Sequence, residues 1–268
     1  MQANAASSSN ERQKAEYIFP AAKDSQAEIS RLDEMHAAVT SYIGGLSRAP
    51  LHEIAPKKIL ELGCGTGAWA ILAAHEFPEA QITAVDIAPL PDDRALPANV
   101  TFMQADIREA LPFSAGSFDV VHARLLLSHL PKQQEAVTRV ATLLAPNGIL
   151  IIEEMEPGST LSTAQGCSLD ILKLMDTLYK RNVGADGGAL GAQLGELMGA
   201  LDGFKREVDV HKVSVPWNGH EPDEKVGALG AGMRESAIAA ITLVASRPGM
   251  EEMGFTKENY EGFIRETD

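Results

Sequence analysis

The chain has 268 residues, 45% of them hydrophobic, which is enough to bury a full core in one α/β domain with additions. Lys and Arg number 23 against 37 Asp and Glu, and the formal charge of -14 would repel a phosphate backbone, so nucleic acid is not an expected partner. The 2 cysteines, Cys64 and Cys167, form no disulfide or metal pattern, and no apolar run reads as long enough to span a bilayer, so neither a metal nor a membrane is expected.

Met1 to about Lys14 is small and polar, without the apolar core of a signal peptide. It reads as a disordered tail (1–14) on a chain working in the cytoplasm. Residues 15–268 read as one domain: a helical cap (15–57), a cofactor-binding core (58–156), a helical lid (157–202), and a C-terminal strand with helices (203–268). Tyr17-Ile18-Phe19-Pro20 is an extended lead. Ile29, Leu32, Met35, Ala38, Val39, Tyr42 and Ile43 then recur at helical spacing. Glu28, Arg31, Asp33 and His36 share that helix, either lining a site or forming solvated pairs.

Lys58 to Leu62 is a short apolar strand that breaks into Gly63, Gly65 and Gly67 before a helix resumes at Ala68-Trp69. Glycines permit positive backbone torsions and leave no β-carbon between main chain and ligand. The same letters satisfy the dinucleotide fingerprint G-x-G-x-x-G/A, so the turn alone leaves NAD(P) and other adenosine cofactors open. Gln81 to Asp86 is a second strand, ending in an acid about 20 residues on, where such folds hold ribose hydroxyls. Val100 to Gln104 is a third, followed by Asp106, and Ser117 to Ala123 a fourth. A helix over Lys132 to Leu144 precedes the strand Ile149 to Ile152, which runs into Glu153 and Glu154. This alternation predicts an α/β, doubly wound, mostly parallel sheet of Rossmann-like type, with ligands at the strands' carboxyl ends.

Beyond Pro157 the expected elements are a helix over Ala164 to Lys180, a glycine-rich break over Gly184 to Gly191, and a helix over Gln193 to Leu201. A sixth strand is expected over Glu207 to Val215 from its alternating valines. A loop over Trp217 to Gly230 and helices over Met233 to Ala245 and Thr256 to Glu266 complete the pattern.

With these residues in hand the sequence resembles the class I S-adenosylmethionine-dependent methyltransferases. Glu61-Leu62-Gly63-Cys64-Gly65-Thr66-Gly67 looks like the family's first motif, Asp86 its ribose-binding acid, and Ala105-Asp106-Ile107 its adenine segment. Ser117-Phe118-Asp119-Val120-Val121-His122 and Leu144-Ala145-Pro146-Asn147-Gly148 resemble its fourth motif and the turn before the fifth strand. Upstream, Tyr17 to Pro20, Glu28, Arg31-Leu32-Asp33, His36 and Ala49-Pro50-Leu51 are similar to the fungal LaeA-like methyltransferases, as are Val215-Pro216-Trp217 and Leu229-Gly230. Those relatives usually carry a sheet strand near their end, and none is evident here after Val215.

The resemblance implies S-adenosylmethionine as cofactor, held by Glu61, Gly63, Cys64, Gly65, Asp86, Ile87, Asp106, Ile107, Ala123 and Arg124. It implies methyl transfer by direct displacement to O, N or S of a small molecule, with a secondary metabolite as the expected class. His129 is the foremost candidate base because it follows the fourth strand, where an acceptor would approach; His36 and Glu153 are alternatives. Two other readings stay open: an NAD(P)-dependent oxidoreductase, and a LaeA-like regulator that binds the cofactor and works through protein partners, which would admit a nuclear location.

Overall fold

A computed structural model describes residues 25–184, 190–204, 208–217 and 221–268. The predicted tail, the extended Tyr17 to Pro20 and most of the glycine-rich break fall outside the described residues. The elements are α1 (Gln26–Ile43), α2 (Leu51–Ile54), β1 (Lys58–Leu62), α3 (Ala68–Glu76), β2 (Gln81–Asp86), β3 (Val100–Gln104), β4 (Phe118–Arg124), a 3-10 turn (Leu127–His129), α4 (Gln133–Ala141), β5 (Leu144–Glu153), α5 (Pro157–Thr163), α6 (Gly166–Val183), α7 (Leu190–Gly199), α8 (Glu224–Ala245) and α9 (Lys257–Glu266).

The strands form a parallel sheet in the order β3-β2-β1-β4-β5, so the winding reverses between β1 and β4. That reversal opens a crevice at the carboxyl ends of the two strands. Strand residues alternate between two buried faces. Ile59, Ile82, Ala84, Val120 and Ile151 pack beneath Trp69, Ala70, Ala73 and Ala74 of α3. Leu60, Leu62, Val85, Val121 and Ala123 pack on the other side against Ala136, Val137 and Val140 of α4 and Leu190 of α7. Helices therefore cover both faces, as the alternation predicts.

A separate helical layer has its own core, made of Ile171 and Leu178 from α6, Ile241 and Val244 from α8, and Phe255 and Phe263 near and on α9. Helix α1 starts at Ser25, whose side chain accepts from the Glu28 amide, and ends on Gly44 in the left-handed region. It lies along α8 at the sheet's carboxyl edge, where it can reach the crevice.

The helices within 157–202 pack in two places: α6 joins α8 and α9, while Leu190, Leu194, Leu197 and Met198 of α7 complete the core over α4. Other elements differ from expectation. No strand forms in the described part of Glu207 to Val215, and the sheet has five strands among the described residues. Its alternating valines find no strand partner: Val210 and Val213 stand 51% and 36% exposed. Finally, α8 begins at Glu224 instead of Met233, because the Asp223 carboxylate caps the amides of Lys225 and Val226.

Glycines in this helix serve close packing. A β-carbon on Gly230 would collide with the Pro216 carbonyl, and one on Gly232 would lie 2.7 Å from Ala38 of α1. The full 22 residues of α8 are long and apolar enough by composition to cross a membrane, contrary to the expectation that no run is. In this fold α8 instead contributes Leu229, Ile241 and Val244 to the buried interior.

Trp69 fastens the first face: its indole Nε1 donates to the Leu46 carbonyl at 3.1 Å, and its ring stacks on His122 at 3.8 Å between centroids. Replacing it by Ala is expected to cost about 3–5 kcal/mol of unfolding free energy. Phe keeps the stack and loses the indole bond, for about 1 kcal/mol from that bond. Urea unfolding of both variants checks the order.

Candidate active site

Glu61, His122, Arg124 and Glu153 share one face of the sheet, since Glu61 registers beside His122 and Arg124 beside Glu153. A cavity of about 160 Å³ opens over these strand ends and is walled by α1 on its outer side. Of the residues the resemblance assigns to a cofactor, Glu61, Gly63, Cys64, Gly65, Asp86, Ile87, Asp106, Ile107 and Arg124 line it. Ala123 does not: it faces the opposite core, against α4. His36 and His129 also line the cavity, whereas Glu153 sits behind Arg124 and is not part of the lining.

The turn after β1 holds Gly63, Gly65 and Gly67 at φ of 66°, 55° and 80°, all in the left-handed region. The space a β-carbon would occupy at Gly63 is taken by the Leu126 side chain, 2.7 Å away. Hence this glycine lets Leu126 pack on the turn, a role distinct from the ligand approach that the letters suggest. The turn is tied to β2 through Asp86, whose Oδ2 accepts from the Gly65 amide at 2.8 Å and Oδ1 from the Ala88 amide at 2.9 Å. Those bonds fix the carboxylate plane at the cavity rim. Asp106 pairs with the Arg108 guanidinium through both oxygens, at 2.7 to 3.0 Å.

Arg124 is shared among three partners. Its Nε donates to Glu153, its Nη1 donates to His36 Nδ1 at 3.1 Å and to Thr40 Oγ1 at 3.5 Å, and its buried Nη2 has no hydrogen-bond partner among the described residues. Because a guanidinium only donates, His36 Nδ1 must accept, which puts its proton on Nε2 facing Thr40 Oγ1 at 3.3 Å. Burial and the adjacent Arg124 charge push the His36 pKa down to about 4, so the ring is neutral and its lone pair engaged. Burial pushes Glu153 up, but the bonds and charges of His122 and Arg124 outweigh it and hold the acid down at about 2. A carboxylate so held is a weak base.

Glu61 is 4% exposed, and burial raises its pKa to about 8 against the opposing pull of Arg124 and a bond from the Ala70 amide. Its Oε2 is buried without a partner among the described residues. Two residues that line the cavity, Glu61 and Arg124, thus each carry one buried side-chain atom with no partner there, a carboxyl oxygen and a guanidinium nitrogen. Buried polar atoms are seldom left unpaired in native proteins, which makes both atoms strong candidates for ligand contacts. A zwitterionic α-amino acid end supplies the matching pair, an ammonium for Glu61 and a carboxylate for Arg124. The residues present therefore fit the amino-acid portion of S-adenosylmethionine.

Three positions around the cavity, Glu154, Met35 and Leu126, had little signal in the sequence. Glu154 Oε1 accepts the amides of Leu126, Leu127 and Ser128 at 3.1, 2.7 and 3.2 Å, so it anchors the 3-10 turn that carries His129. Burial raises the Glu154 acid to about 7 against those bonds. Met35 and Leu126 also wall the cavity. The His129 ring leans on Tyr179 of α6 with centroids 5.2 Å apart. A carboxylate beside its twin and a leucine in a leucine-rich run carry no pattern of their own.

A family model described as a methyltransferase domain matches residues 35–182. Methyltransferase str2 of Strobilurus tenacellus is 36% identical over 246 residues, covering 90% of this chain and 86% of that protein. Methyltransferase str3 of the same organism is 36% identical over 218 residues, covering 80% and 76%. The secondary metabolism regulator laeA of Coprinopsis cinerea is 34% identical over 149 residues, 53% of this chain and 36% of that protein.

The raised Glu61 pKa has a measurable sign. The folded protein keeps a proton that the unfolded chain loses, so this contribution to stability is full below the ordinary carboxylate value of 4.5 and lost as pH rises through about 8. A cation bound at Oε2 favours the ionised form. Binding of S-adenosylhomocysteine at pH 7 is therefore expected to release about one proton and to tighten as pH approaches 8. Calorimetry in buffers of different ionisation enthalpy checks it, and Glu61→Gln is expected to abolish the release. Gly63→Ala, strained at φ 66° and in collision with Leu126, is expected to lose binding altogether.

Proposed function

The chain belongs to the methyltransferase-domain family, and on that premise we propose that it methylates an O, N or S atom of a small-molecule acceptor of the secondary-metabolite class, with S-adenosylmethionine as the donor. The observation that carries the reading is the pair of buried atoms without a partner among the described residues, Glu61 Oε2 and Arg124 Nη2, on two residues that line one cavity. When bound, the cofactor supplies a sulfonium-activated methyl group that is displaced in line by the acceptor.

The protein's own task is then to bind, orient and exclude water. Glu61 and Arg124 hold the amino-acid end. Asp86, fixed by the Gly65 and Ala88 amides, accepts from the ribose hydroxyls, and Asp106 with Arg108 borders the adenine. Cys64 and Ile107 add buried apolar wall, and Ile87 covers the rim. Met35, Leu126 and Leu130 shape an apolar approach for the acceptor.

Among the candidate bases His129 is preferred. The His36 lone pair is engaged by Arg124, and Glu153 is bonded to both Arg124 and His122 outside the cavity lining. His129 lines the cavity on a turn anchored by Glu154, and a neutral imidazole there can take the proton that the acceptor sheds.

Titration with S-adenosylhomocysteine and with NAD(H) tests the cofactor: the first is expected to bind in the micromolar range or below, and binding of NAD(H) alone would overturn the assignment. Incubation with methyl-labelled S-adenosylmethionine and a fractionated metabolite extract tests transfer, with a labelled small product as the expected result. For that product, His129→Ala is expected to lower kcat by about 10² to 10⁴. Its affinity for S-adenosylhomocysteine should stay within a few-fold of the original.

A further inference from the structure

The polar residues of α1 are divided between its two sides. On the side facing α8, Arg31 pairs with Glu28 through both carboxylate oxygens, at 2.6 and 2.7 Å, and donates to Ser236 at 2.8 Å. The last of these bonds joins α1 to α8. On the side facing the sheet, Asp33 makes two contacts of another kind. Its Oδ1 accepts from the Thr66 hydroxyl at 2.5 Å, and its Oδ2 accepts from Arg94 Nη2 at 2.6 Å.

The two donors belong to different segments of the chain. Thr66 lies within the glycine turn, 4% exposed between Gly65 and Gly67. Arg94 belongs to the irregular connection between β2 and β3, which also sends Leu90 to within 3.3 Å of a β-carbon position on Gly67. Leu32, beside Asp33, lies over the turn as well, 3.6 Å from where a β-carbon on Gly65 would stand. One carboxylate therefore gathers α1, the turn and the connection around the cavity rim.

We propose that Asp33 is a positioning residue for cofactor retention, clamping α1 and the β2–β3 connection onto the glycine turn so that the clamp opens for the cofactor to enter or leave. Asp33 is not part of the cavity lining, and it acts through Thr66, Leu32 and Arg94. The proposal rests on the reading that the cavity holds S-adenosylmethionine. It goes beyond that reading by assigning the exchange step to a residue that touches no ligand.

Rapid-mixing displacement of tritiated S-adenosylhomocysteine from the full chain measures the exchange. In Asp33→Ala both association and dissociation are expected to accelerate, dissociation by about tenfold, since two charge-assisted bonds at a partly exposed rim are lost. Arg94→Ala is expected to show a smaller acceleration of the same two rates. The double variant is expected to match Asp33→Ala within error, because both changes break one assembly. A merely weakened site would raise dissociation without speeding association.

Hydrogen exchange provides a second readout: amides of α1 should exchange faster in Asp33→Ala while those of β1 do not. If Asp33→Ala does not fold, Arg94→Ala, on a partly exposed connection, carries the test alone. A wild-type chain that binds while Asp33→Ala, or Arg94→Ala in its stead, exchanges at the wild-type rates overturns the clamp alone. A wild-type chain that binds no S-adenosylhomocysteine overturns the cofactor reading and the clamp with it.

Discussion

The Arg124 guanidinium is apportioned among β5, α1 and the cavity, and the arrangement of the site follows from that division. Nε is taken by Glu153 and Nη1 by His36, which leaves Nη2 without a partner among the described residues. Burying a cation is costly unless it is paired and bonded. Glu153, held far below the ordinary carboxylate range, supplies the paired charge. His36, neutral and presenting a lone pair, supplies a bond without adding a second cation. The same bond ties α1 to the end of β4 at the sheet's carboxyl edge.

Glu61 faces the complementary problem. As an acid in an apolar setting it keeps its proton until something positive arrives. Among the described residues no group satisfies Glu61 Oε2 or Arg124 Nη2, and both residues sit where the winding of the sheet reverses. Unsatisfied buried atoms lower the stability of the ligand-free protein, and a ligand that satisfies them restores it. The folding cost and the affinity thus have a common origin in these two side chains.

Much of this was legible in the sequence. All five strands of the sheet, the glycine turn and the acids at strand ends are written in short-range patterns, because a buried parallel strand and a left-handed turn each demand particular residue types. Which atoms remain unpaired is set by register across strands, and letters as far apart as Glu61 and Arg124 do not announce that they share a face. The valines at 208, 210, 213 and 215 illustrate the converse failure: alternation indicates a strand only if a partner edge is available, and here they run past α1 and α7 unpaired. Glycines 227 and 230 read as loop because the close contact that Gly230 serves, with the Pro216 carbonyl, comes from another segment. The Glu28, Arg31, Asp33 and His36 pattern was visible as a set, but its partners, Ser236, Thr66, Arg94 and Arg124, emerge only from the fold.

The central claim is that an amino-acid end is held between Glu61 and Arg124. The most direct test compares S-adenosylhomocysteine with 5′-methylthioadenosine, which keeps the adenosine and the thioether but lacks that end, in the native chain and in Arg124→Leu. The account requires the truncated ligand to bind the native chain at least about a hundredfold more weakly. It also requires that gap to shrink in the variant. Equal affinity of the two ligands for the native chain would contradict it.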